Sequence, residues 1–99
     1  MIKHIVLFKL KSFESDSAKN NKLSEIKDGL MALMHTVETL KSIEVGLNCN
    51  PKEDYDIALT TTFNNLSDLD LYAKHPDHVA IGKIIREVLE ARSCVDFEY

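Results

Sequence analysis

Residues 2–11 read IKHIVLFKLK, and this stretch decides the architecture. Its side chains alternate with the period of two that belongs to a β-strand. Ile2, His4, Val6, Phe8 and Leu10 share one face, and Ile5 and Leu7 occupy the other. Both faces therefore carry apolar side chains. Helices covering one face would leave Ile5 and Leu7 bare, a surface that a monomer rarely exposes. The pattern predicts a second copy of the same sheet packed across a two-fold axis, a homodimer.

Downstream, Ser15 or Asp16 is placed to cap a helix in which Leu23, Ile26, Leu30, Leu33, Met34 and Val37 recur at steps of three and four. Met31 and Met34 read as helix packing, and Gly29 within that face points to close approach of a neighbouring element. His35 falls at the end of this helix, where it complements the dipole. Ile43, Val45, Leu47 and Cys49 alternate as a second strand. Tyr55, Ile57, Leu59, Thr61 and Phe63 form a third, joined to it by the turn-forming Asn48, Asn50 and Pro51. Ser67 is placed to cap a short helix leading to Tyr72. His75 precedes a proline and is pushed toward extended backbone, and Pro76 suits the first position of a new helix with Ile81, Ile84, Ile85, Val88 and Leu89 inward. Val95, Phe97 and Tyr99 alternate with Cys94, Asp96 and Glu98 as a last strand. The order β-α-β-β-α-β is the ferredoxin-like α+β pattern, a four-stranded antiparallel sheet with helices on one face.

The chain has 99 residues, a single-domain length (1–99), with 44% apolar and 28% charged side chains, proportions of a globular protein. Its net charge of −4 argues against nucleic acid as a partner, since that binding rests on phosphate neutralisation by basic side chains. Lys3, Lys9 and Lys11 read as solvated strand positions. The opening residues resemble neither a signal peptide nor a membrane span, which gives the expectation of a cytoplasmic protein without membrane contact. Cys49 and Cys94 lack metal-like spacing and read as buried thiols in strands at opposite sheet edges. There is no Gly-rich phosphate loop and no nucleophile-elbow motif.

Chemistry concentrates in LYAKHPDHVAIG, residues 71–82, which sets Tyr72, His75 and His78 around a helix break. His78 is the third residue of the helix opened by Pro76, where the positive end of the dipole disfavours an imidazolium. A neutral imidazole is a competent general base. Tyr72 can hold or polarise a substrate carbonyl, and His4 can face both across a cavity. His75 is either a further ligand-facing side chain or a turn residue. The competing reading makes His78 a partner of local backbone and Tyr72 a core residue. Zinc held by His4, His75 and His78 lacks a cysteine or carboxylate at ligand spacing, so no metal or other cofactor is expected.

KHIVLFKLK, the third strand with its Phe63, and YAKHPDHV together resemble the stress-responsive dimeric α/β-barrel domain family across essentially the whole chain. The Y-x-x-H-P-x-H element with an early histidine is the most specific part of the likeness. The resemblance implies a dimeric α+β barrel, two sheets closed on each other with the helices outside, and a pocket between sheet and helices in each protomer. In a plant polyketide cyclase of that family, the catalytic tyrosine and histidine match Tyr72 and His78, and a pocket histidine matches His4. A pocket tyrosine of that enzyme falls at Ile26, so the walls differ. Two functions follow. One is a binding module taking a small apolar or aromatic ligand against Val6, Phe8 and Ile26. The alternative is a cofactor-free lyase or cyclase working on a carbonyl compound with His78 and Tyr72; cofactor-free oxygenation rests on fold analogy alone.

Overall fold

In the computed structural model, which describes Met1–Tyr99, the opening strand β1 (Ile2–Leu10) buries Ile2, His4, Val6, Phe8 and Leu10 and leaves the alternate side chains half-exposed. Its alternation thus becomes a sheet with one covered face. Helix α1 (Asp16–Met31) starts at Ser15, whose hydroxyl accepts the Ala18 N–H at 3.1 Å. The single helix expected to run to Val37 is instead broken at Ala32, and a one-turn α2 (Leu33–Thr36) follows. The break lets the chain turn toward the sheet while Leu33, Val37 and Leu40 all stay buried. Met31 and Met34, expected to pack, are exposed on the outer side of that turn. His35 stands in the last turn of α2.

Strand β2 (Ser42–Leu47) and β3 (Ile57–Phe63) form the expected hairpin, with a longer connection than the alternation suggests. Asn48 and Asn50 cause the difference. The Asn50 N–H donates to Asn48 Oδ1 at 2.9 Å, and the Lys52 N–H donates to Asn50 Oδ1 at 3.1 Å. Side-chain carbonyls thereby replace strand partners and end β2 two residues before Cys49. Cys49 is exposed in this loop, and Cys94 is also exposed, so neither is the buried thiol anticipated.

Helix α3 (Leu66–Lys74) is capped by Asn65, whose Oδ1 accepts the Asp68 N–H at 2.8 Å; Ser67 lies inside the helix. His75 is extended and Pro76 opens α4 (Pro76–Val88), as the sequence dictates. The last strand β4 (Leu89–Glu98) takes Leu89 from the helix expected to contain it. The sheet is antiparallel in the order β2-β3-β1-β4. Cys94, on the edge strand β4, and Cys49, beyond β2 at the other edge, are therefore kept apart.

The helices cover one sheet face. Val6, Leu59 and Phe63 from the sheet meet Ile26, Leu30, Tyr72 and Ile85, all buried. At Gly29, α1 and α4 approach closely, for a Cβ there would collide with Ile81 Cδ1 and lie 3.1 Å from Cγ1. On the uncovered face, Ile5 pairs with Val95 and Lys3 with Phe97, which leaves Val95 and Phe97 55% and 41% exposed, while Leu7 lies between Ala58 and Ser93. No helix is long and apolar enough to cross a membrane.

Candidate functional site

The site grows from the break between α3 and α4. His75 caps α4 by accepting the Asp77 N–H on Nδ1 at 3.1 Å, and so serves the helix start. It lies outside the lining of both cavities described below. Three residues on, His78 places Nδ1 3.0 Å from the carbonyl oxygen of Ala73, in the last turn of α3. A carbonyl only accepts, so Nδ1 carries the proton and Nε2 of the neutral ring keeps its lone pair. Burial lowers the His78 pKa below the usual histidine value. The Ala73 hydrogen bond opposes that shift, and the charges of His4, Arg86 and Arg92 reinforce it.

Tyr72 packs its ring against His78, with centroids 4.5 Å apart, and meets His4 edge-on at 6.4 Å and Phe63 at 5.0 Å. Its side chain is 1% exposed, and its hydroxyl has no hydrogen-bond partner. Burial raises its pKa to about 12, so at neutral pH it remains a phenol with a proton to donate. The structure thus brings His4, Tyr72 and His78 together around one open cavity of about 440 Å³ on the β4 side.

A second cavity, about 260 Å³, lies deeper between sheet and helices. His4, His78 and Arg92 line both cavities, and Val6 and Phe8 floor the deeper one beside Leu30, Leu59 and Ile85. Ile26 lines neither. It is 0% exposed within the core, behind the walls it was expected to form.

Four residues of the site escape sequence reasoning: Arg86, Arg92, Cys94 and Asp96. Asp96 accepts from His4 Nδ1, which orients that imidazole from the neighbouring strand. Cys94 Sγ lies 3.5 Å from the same nitrogen. A bulge explains the miss. Leu10 pairs with Leu89 and Lys9 with Ala91, which leaves Glu90 as the extra residue. It reverses the alternation, so Arg92, Cys94 and Asp96 point to the covered face while Val95 and Phe97 point away. The signal available was the polar parity of β4, but not which face that parity would take.

The zinc set of His4, His75 and His78 does not assemble. The potential ligand atoms that do converge, within 4.8 Å of one another, belong to His4, Cys94 and Asp96. Burial and the Asp96 carboxylate raise the Cys94 pKa, so with nothing bound the sulfur keeps its proton. As it stands, the cluster is a carboxylate-oriented histidine.

Comparison with known proteins agrees with this fold. The family model for the stress responsive A/B barrel domain matches residues 2–99. The chain belongs to that family. Two Arabidopsis thaliana stress-response A/B barrel domain-containing proteins are each 29% identical to it, over 98% and 96% of this chain. The chain spans 46% of the length of the first and 83% of the second. A solved structure from Bacteroides fragilis, described as a dimeric protein of unknown function with a ferredoxin-like fold, is 46% identical. It superposes with a TM-score of 0.93, covering 99% of this chain and 95% of that one.

Proposed function

We propose that this A/B barrel domain assembles as a homodimer, sheet to sheet, and that each protomer binds a small apolar or aromatic molecule in the cavity between sheet and helices. The observation that carries the reading is an apolar cavity of about 260 Å³ with His78 in its wall and that imidazole's Nε2 left unprotonated. The volume falls just under the roughly 300 Å³ at which ligand pockets usually begin, which suits one ring or a short chain. The dimer is supported by the apolar uncovered face and by the dimeric state of the Bacteroides fragilis relative.

Gly82 offers the test. It lines the cavity, and a Cβ there meets only Arg86 Nη1 at 3.4 Å, so Gly82→Phe can fill the space without disturbing the core. Calorimetry with a panel of small aromatic and aliphatic carbonyl compounds should find ligands for the wild type that Gly82→Phe no longer binds at an unchanged melting temperature. Binding undiminished in Gly82→Phe would place the ligand elsewhere and remove the reading.

A second reading, cofactor-free lyase or cyclase chemistry, is favoured by the unpartnered Tyr72 hydroxyl beside His78. His78 Nε2 would take a proton from the carbon next to a carbonyl, and the Tyr72 O–H would donate to the enolate oxygen as it forms. Exchange of that carbon's hydrogen in heavy water, followed by NMR, should be catalysed by wild type and lost in His78→Ala. Equal exchange in both proteins would leave binding alone.

A further inference from the structure

Of the twelve basic side chains, only Arg86 and Arg92 are arginines, and both line the deeper cavity. They approach it from opposite walls. Arg86 stands in the last turn of α4, while Arg92 lies on β4 beyond the bulge and pairs with Phe8. Neither makes an ion pair, although the chain carries 16 acidic residues and Lys9, Lys19, Lys22 and Lys74 each find one. No Asp or Glu lines this cavity. Asp70 and Asp96 border the neighbouring one, which Arg92 shares, but Asp70 pairs with Lys74 and Asp96 is engaged by His4. Two guanidinium groups thus flank an apolar floor with no counter-ion, in a protein whose net charge is −4.

From this arrangement we infer that the cavity selects an apolar molecule ending in a carboxylate, which Arg86 and Arg92 hold at the mouth while the body rests on Val6, Phe8, Leu30 and Leu59. Arginine suits that task better than lysine, because its planar fork matches a carboxylate with two parallel charge-assisted hydrogen bonds. Both arginine charges are also felt at His78, so a carboxylate bound between them would neutralise the field that helps keep that imidazole unprotonated. The inference rests on the pocket reading above and specifies its ligand class.

The test is calorimetry with matched pairs of neutral amide and free acid, from benzoate and cinnamate through octanoate to decanoate. In the wild type the best acid should bind at least about tenfold more tightly than its own amide, the worth of one charge-assisted contact. Arg86→Gln and Arg92→Gln should each lose most of that preference while leaving the amide's affinity within about twofold, and Arg92→Lys should recover part of it. Both side chains are exposed, so the melting temperatures serve as a check that folding is unchanged. Acids and amides that bind alike, or an acid preference that survives both Gln substitutions, overturn the carboxylate inference and leave the pocket standing. A series in which neither form binds overturns both.

Discussion

The His78 imidazole reaches back across the Pro76 break to the Ala73 carbonyl, with Nδ1 3.0 Å from the oxygen. This bond joins the start of α4 to the end of α3 and fixes the ring's tautomer at the same time. It also gives the local reading of His78, as a partner of nearby backbone, and the functional reading a common origin. The bond that punctuates the helix is the one that frees Nε2.

A pH dependence of stability follows. Burial holds the folded-state pKa of His78 below the ordinary histidine value, so between the two values the unfolded chain binds more protons than the folded one. Stability should be full above about pH 6.5, the unperturbed value, and should decline as the pH falls below it, until the folded-state pKa is passed. Urea unfolding at a series of pH values, on wild type and His78→Ala, isolates the contribution. The slope in that window should be shallower in His78→Ala. Identical slopes would mean that His78 titrates as it does in water.

Tyr72→Phe should move stability and turnover in opposite directions. The phenol oxygen is buried without a partner, a condition that costs about 1–3 kcal/mol. Removing it should raise unfolding stability by about 1 kcal/mol, since the ring and its contacts with Phe63 and His78 remain. Under the lyase or cyclase reading, turnover of a carbonyl compound should fall. A drop in stability with unchanged turnover would show that the hydroxyl serves the core.

How much of this was legible depended on whether the deciding forces were local. β1, the Ser15 cap and the His75–Pro76 break are written in neighbouring residues, and the sheet order follows from connection rules. His4, Tyr72 and His78 could be singled out because imidazole and phenol are conspicuous side chains. Arg92 and Asp96 could not, because their facing depends on the bulge at Glu90, a non-local pairing between β1 and β4. Ile26 failed as a pocket wall for a related reason. Periodicity shows that it faces inward, but not whether inward means the cavity or the packed core behind it.

The proposed assembly through the uncovered sheet face makes Ile5 and Leu7 sensitive to charge. Ile5→Lys or Leu7→Lys places an ammonium in the centre of that face, where it would lose its water. Each should shift sedimentation from a dimer to a monomer, while Glu87→Lys, on an exposed part of α4, should not. Wild type sedimenting as a monomer at micromolar concentration would refute this mode of assembly.

The contact between Gly29 and Ile81 yields a prediction about the sign of one substitution in two backgrounds. A Cβ on Gly29 would collide with Ile81 Cδ1 and lie 3.1 Å from Cγ1, so Gly29→Ala must displace the Ile81 side chain at the crossing of α1 and α4. Overpacking of that kind costs about 1–3 kcal/mol, against which alanine returns about 1 kcal/mol of helix propensity. The net effect should be destabilising. Ile81→Val removes Cδ1, the atom in the way, at a cost of about 0.5–1.5 kcal/mol. In the Ile81→Val background, Gly29→Ala should therefore become neutral or stabilising, giving a coupling of about 1–2 kcal/mol in a double-mutant cycle. Ile81 also lines the deeper cavity, so the single Gly29→Ala variant should weaken ligand binding as well, and the double variant should restore it. If Gly29→Ala is stabilising by the same amount in both backgrounds, the two helices do not approach closely at Gly29, and the cavity wall they share is built differently.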